Sequence, residues 1–161
     1  MNQRYFGAFL ILITFAASTA RAQKNDPPSG QFGAGIYLMT NYLPNGFTVT
    51  YAIDSSVQFE SELSLSISAS SPAIYLVAPF ARYLFPDLFP GLASPFVQGG
   101  IQLYSPGTGT QVGIFLGAGV AYFVNHQLGI HGDVDVVNHF FSTLAPNFGW
   151  FVFRIGADWF F

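Results

Sequence analysis

The chain has 161 residues, 51% hydrophobic, 18% aromatic and only 8% charged, and no cysteine, whereas an ordinary soluble domain carries about 25% charged residues; disulfides and lipoprotein processing are excluded. After residue 23 no apolar run approaches the roughly 20 residues of a spanning helix, because polar residues or glycines recur every two or three positions. Beyond residue 22, Lys24, Arg82 and Arg154 face eight acids, a net charge of −5 that argues against nucleic acid as a partner.

At the amino end, Arg4 precedes an apolar run from Phe6 to Ala17. Ala20-Arg21-Ala22 then supplies small residues at signal-peptidase spacing, so residues 1–22 are predicted to be a signal peptide cleaved before Gln23. Residues 23–30 form a short polar leader, expected as a mobile periplasmic tail. Everything from 31 to 161 alternates as strands. The first, about 31 to 39, sets Phe32, Ala34, Ile36 and Leu38 against Gln31, Gly33, Gly35, Tyr37 and Met39. Asn45-Gly46 is a hairpin signal leading to a second strand at about 47 to 53. After the turn Asp54-Ser55-Ser56, the third strand, about 57 to 69, carries Gln58, Glu60, Glu62, Ser64 and Ser66 on one face. Its other face holds Val57, Phe59, Leu63, Leu65 and Ile67, interrupted only by Ser61.

The fourth strand, about 73 to 84, is apolar on both faces, and Arg82 assigns its inward side, since a charge facing acyl chains costs a few kcal/mol. Residues 86–95, with three prolines, form the longest connection, either a folded-back turn or a small plug. The fifth strand, about 96 to 104, turns Gln98 and Gln102 inward. The sixth, about 112 to 123, sets Gly113, Phe115, Gly117 and Gly119 against an apolar face, and its glycines allow curvature or close approach, or leave a small cavity. After Asn125-His126-Gln127, the seventh strand, about 128 to 140, aligns His131, Asp133, Asp135 and His139 on one face. The last, 150 to 161, has Phe151, Phe153, Ile155, Ala157, Trp159 and Phe161 on one face and Arg154 and Asp158 on the other.

Eight strands of such length fit an all-β, eight-stranded antiparallel up-and-down transmembrane β-barrel, since a bilayer admits only helices or closed barrels. Both termini fall at one end. With that end in the periplasm, 54–56 and 125–127 are short periplasmic turns, while 40–46, 70–72, 105–111 and 141–147 are outer loops. Aromatics near strand ends form two expected girdles, one with Tyr51, Phe59, Tyr83, Phe85, Tyr122, Phe123, Trp159 and Phe161, the other with Tyr37, Tyr42, Tyr104, Phe140, Phe148 and Trp150.

The signal peptide, the Ser94-Pro95-Phe96-Val97-Gln98-Gly99-Gly100 stretch, Gly117-Ala118-Gly119-Val120-Ala121-Tyr122 and the final Trp159-Phe160-Phe161 carry a resemblance. The chain beyond residue 22 resembles the small OmpA/OmpX-like, opacity-type outer-membrane β-barrel group. The resemblance implies a place in the outer membrane among its lipids and lipopolysaccharide. It also implies a terminal signal, here Phe153, Ile155, Trp159 and Phe161, read by the barrel-assembly machinery. The group includes structural barrels, adhesins, porin-like proteins and a few lipid A enzymes, so it does not select a function.

Chemistry must come from the inward face. Glu60 and Glu62 are expected near Arg82, and Asp133 and Asp135 near Arg154, as two interior ion-pair clusters that pack a lumen barely wider than its own side chains. The sharper alternative is a proton or ion path along these acids. His131, Asp133, Asp135 and His139 are metal-capable, but neighbours spaced about 6.5–7 Å along one strand cannot chelate one small ion unaided. A hydrolytic triad of His139, Ser142 and Glu60 or Glu62 resembles that of barrel-shaped lipid A deacylases. In that family the His and Ser are two apart, whereas His139 and Ser142 are three apart. The expectation is a membrane-integrity barrel with a filled lumen and no enzyme activity, cofactor or metal. Its alternatives are a small-solute or lipid-binding channel, an adhesin and a lipid A enzyme.

Overall fold

The computed structural model describes residues 27–39, 45–68, 71–86, 88–89, 93–105, 109–141 and 150–161, and within these not the side chains of 68, 71, 72, 138–141 and 150. The predicted signal peptide and much of the outer loops lie outside the described residues. Of the leader, Pro27 and Pro28 are buried, and Gly30 N–H donates to Ala52 O at 2.8 Å.

Eight strands, β1(Gln31–Met39), β2(Gly46–Ala52), β3(Val57–Ser68), β4(Ser71–Leu84), β5(Ser94–Ser105), β6(Gln111–Phe123), β7(Leu128–Phe141) and β8(Trp150–Phe160), form a closed barrel in chain order. Every neighbouring pair is antiparallel, including β8 with β1, where Gly33 faces Phe160 and Met39 faces Arg154. Closure leaves no strand edge, the condition for a sheet in hydrocarbon. The final residue takes part, since Phe161 N–H donates to Phe32 O at 2.8 Å.

Strand ends differ from the sequence reading, and β4 starts at Ser71, inside the expected outer loop 70–72. Residues 94 and 95 belong to β5, with Pro95 opposite Val120, so the connection after β4 is shorter than 86–95. Phe85 N–H donates to Pro95 O across that connection. Pro79 lies in the middle of β4, where the ladder to β5 runs as far as Val77 opposite Leu103 and resumes at Phe80 opposite Gly100. A proline has no N–H to give, so the ladder skips its level. The turns at the terminal end share one device: the Asp54 carboxylate accepts from Ser56 and Val57 N–H, and the Asn125 amide oxygen from Gln127 and Leu128 N–H, all at 2.7–2.8 Å.

Alternation sorts the side chains as the sequence predicts. The outer wall is an apolar belt including Phe32, Leu38, Phe59, Leu65, Leu116 and Trp159, all exposed. Tyr37 and Phe123 depart from their expected girdles: both are buried and point into the barrel, because their parity along β1 and β6 is that of the inward face. Tyr42 and Phe148, and the side chains of Phe140 and Trp150, lie outside the described residues.

The lumen is layered. Ala52, Leu84, Phe96, Ala121, Phe123 and Phe160 form an apolar cluster at the end where the termini sit. Ala78, Phe80, Phe115, Val137 and Val152, with Met39 against them, form a second one further along. The charged side chains lie between these and beside them.

Candidate functional site

Five acids (Glu60, Glu62, Asp133, Asp135 and Asp158), two arginines and His131 are buried inside the barrel. Each sits at an inward position of its strand, so the polar half of the strand alternation delivers them all to one compartment.

Arg154, on β8, is the hub. Its Nε donates to Asp133 Oδ1 at 2.8 Å, its Nη2 pairs with Asp135, and its Nη1 pairs with Glu62 of β3, three strands away around the wall. Arg82, on β4, pairs through Nη1 with Glu60 at 2.5 Å and donates from Nε to Gln98 Oε1 at 3.1 Å. Gln98 then donates from Nε2 to Asp135 Oδ1 at 2.9 Å. The two clusters expected from sequence are therefore one chain: Glu60, Arg82, Gln98, Asp135, Arg154, and from there Glu62 and Asp133.

The sequence pairing of Glu62 with Arg82 is corrected. In the β3–β4 register Arg82 faces Gln58, and Glu62 faces Ala78, four residues further along β4. That offset takes Glu62 out of reach of Arg82 and leaves it to Arg154 across the lumen.

His131 extends the network on its other side. Its Nδ1 lies 3.4 Å from Asp133 Oδ2 and its Nε2 lies 3.2 Å from Asp158 Oδ2, while Thr48 Oγ1 donates to Asp158 Oδ1 at 2.5 Å. Both ring nitrogens thus face carboxylates, and among the described residues no group of three or more His, Asp or Glu is placed to hold a metal ion. His139 pairs through its backbone with Gly113, but its side chain and Ser142 lie outside the described residues, so the imagined triad does too.

The arginines also meet aromatic faces. Arg82 lies 4.2 Å from the Phe96 ring centroid, and Arg154 lies 5.5 Å from Phe80 and 5.4 Å from Phe115. Such contacts gain strength away from water. They tie the charged chain to the apolar clusters, since Phe96 belongs to one and Phe80 and Phe115 to the other. Thr50 Oγ1, Gln58 Nε2 and Glu60 Oε2, the carboxylate oxygen turned away from Arg82, are buried at inward positions of β2 and β3 with no hydrogen bond to another protein group, the kind of grouping that buried water satisfies in proteins.

Gly100, Gly117 and Gly119, inward on β5 and β6, do not line an open space. A Cβ on Gly117 would meet the Asp135 carboxylate, one on Gly119 would lie 2.5 Å from Phe96 Cζ, and one on Gly100 would meet Pro79 O and Phe80. Neighbouring side chains fill the room these glycines leave.

Sequence reasoning found the acids and arginines but missed Gln98 as the bridge and His131 as an internal partner of Asp158. The inward parity of Gln98 and Asp158 was the available signal. What it lacked was the register that sets who stands beside whom.

No protein-family model and no curated protein sequence matches the chain. Among solved structures it is similar to the N-terminal β-barrel domain of Pseudomonas aeruginosa OprF, at 16% identity and a TM-score of 0.61, over 83% of this chain and 98% of that one. It is likewise similar to Neisserial surface protein A, at 17% identity and a TM-score of 0.55, over 81% of this chain and 95% of that one. At such identities the likeness speaks for fold. The chain has the fold of the small eight-stranded outer-membrane β-barrels, the OmpA/OmpX-like group its sequence resembles.

Proposed function

We propose that the chain is an integral outer-membrane barrel with a structural, membrane-integrity role, neither conducting nor catalytic. What supports this reading is the packing inside the barrel among the described residues, where two apolar clusters flank the charged chain and side chains occupy the space beside Gly100, Gly117 and Gly119. An eight-stranded barrel is just wide enough to be filled this way. The buried ion pairs involving Glu60, Glu62, Arg82, Asp133, Asp135 and Arg154 then serve as packing, because each charge needs a partner once it has left water.

In this reading residues 1–22 direct export and are removed, residues 23–30 lie in the periplasm, and the belt contacts outer-membrane lipids and lipopolysaccharide. Phe153, Ile155, Trp159 and Phe161 form the signal for the barrel-assembly machinery. Their outward alternation, exposed at each of the four positions, is what supports that role.

Single-channel recording in planar bilayers tests the central claim. The purified barrel is expected to give no resolved openings, and discrete, reproducible openings would refute the filled lumen and favour the small-solute channel.

A further inference from the structure

On the outer wall, a groove of about 500 Å³ crosses the faces of β1 to β5. Ser61, Pro79 and Ala81 lie at its middle, with Val49, Tyr51 and Phe59 beside them on β2 and β3, Phe32 beyond on β1, and Ile101 on β5 at the other side. The cause is in the sequence. Ser61 and Pro79 stand directly opposite each other in the β3–β4 ladder, with Ala81 two residues on, so three small outward residues adjoin where the belt otherwise carries large ones. Beside them Phe32 and Tyr51 face each other with ring centroids 4.7 Å apart, which raises a firm aromatic wall. The ladder to β5 skips the level of Pro79, so the floor also coincides with the one interruption in that seam.

We propose that this groove holds one acyl chain of a membrane phospholipid. Its rim residues belong to the same apolar belt that faces hydrocarbon, so the groove is continuous with the lipid interface. Its volume is within the range of small-molecule sites. Thr50 and Glu60 of its lining are buried on the inward face, and the outward side chains are apolar but for the hydroxyls of Ser61 and Tyr51, with no cation to grip a phosphate, so the alkyl chain and not the headgroup is recognised. A second copy of this convex barrel could not reach into a concave floor, whereas a thin, flexible chain can. Phe32 and Tyr51 lie one residue from the strand ends where both termini sit, which places the groove toward that end of the belt. With those termini in the periplasm, the lipid comes from the periplasmic leaflet. The inference rests on the membrane-barrel reading above.

Native mass spectrometry of the full barrel, released from nanodiscs of phosphatidylethanolamine and phosphatidylglycerol, tests it. The wild type is expected to retain one phospholipid above the nonspecific background. Ala81→Phe, which fills the floor from β4, is expected to cut that population several-fold, through the van der Waals contact the chain loses there. Ser61→Leu fills it from β3 and should do the same, which guards against misfolding of either variant. Ala118→Phe, outward on β6 and away from the groove, should retain lipid like the wild type. Equal retention by all four proteins would overturn the proposal, as would a retained dimer that Ala81→Phe abolishes. Heat-dependent gel mobility separates the two readings: if the wild type lacks it, the membrane barrel itself is refuted and the groove with it. If the wild type has it and lipid retention is indifferent to the groove, only the groove falls.

Discussion

Replacing Arg154 with methionine removes the cation that Glu62, Asp133 and Asp135 share, and leaves the volume nearly filled. After the change Asp133 keeps His131 and Asp135 keeps Gln98, while Glu62 loses the guanidinium beside it. Removing one partner of a buried pair costs about 3–5 kcal/mol. The loss does not triple for three acids, because a stranded carboxyl can take up a proton in place of remaining charged. About 4 kcal/mol is therefore expected, and with a urea slope of about 2 kcal/mol/M the midpoint falls by about 2 M. The assay is urea unfolding in lipid vesicles followed by tryptophan emission, with gel mobility as a second probe. Lowering the pH should shrink the difference between variant and wild type, since protonated carboxyls no longer repel one another. The variant combining R154M with E62Q, D133N and D135N should recover much of the loss, because polar amides can pair without the cation. A midpoint shift below about 0.5 M for R154M would mean that the acids are already solvated, and a wet lumen would replace the packed one.

Gly119→Ala places a Cβ against Phe96 and Asp133 and is expected to destabilise by about 1–3 kcal/mol in the same unfolding assay; an unchanged midpoint would show slack in the lumen. Gln98→Leu strands the Arg82 Nε–H and an Asp135 oxygen, and about 1–3 kcal/mol should be lost, with wild-type stability counting against the bridge. Phe96→Ala with Phe160→Ala opens the apolar cluster at the terminal end, each truncation costing about 3–5 kcal/mol, and planar bilayers should record openings absent from the wild type. Silence from that double variant would assign closure to the charged chain instead. Deleting Phe161 should lower the fraction of heat-modifiable barrel in outer membranes, and equal assembly would remove this residue from the insertion signal.

The faces of the strands were legible because they follow from a local rule. A period of two in β3, β7 and β8 separates Glu60, Glu62, Asp133, Asp135, Arg154 and Asp158 from their apolar neighbours, and no long-range knowledge is required. Strand ends were nearly as clear where Asp54 and Asn125 mark turns. They blurred at Pro95, since proline reads as a loop residue although it is tolerated at the start of a strand. Partnership was legible only between adjacent strands, where Glu60 meets Arg82 and Asp133 and Asp135 meet Arg154. Whether Glu62 meets Arg82 or Arg154 depends on the offset between strands summed around the barrel, which no single segment encodes. Gln98 illustrates the limit: inward from its parity, it became a bridge only once β5 stood between β4 and β6 in a fixed register.

That register needs its own cause, because alternation cannot supply it: a slip of two residues keeps every side chain on its face. The inward glycines supply one. Phe80 faces Gly100, Phe96 faces Gly119, Asp135 faces Gly117, His131 faces Gly156, Asp158 faces Gly35 and Phe160 faces Gly33. Large and absent side chains thus oppose each other on successive seams, the arrangement that fits a narrow barrel. Slipping β8 by two against β7 would bring either Arg154 or Asp158 opposite His131, in place of Gly156, over which the imidazole now lies. It would also take Arg154 away from its place opposite Asp133. Overpacking and a stranded charge would arise together, each costing on the order of 1–5 kcal/mol. The residues that pack against one another inside the barrel therefore also select the register in which it closes.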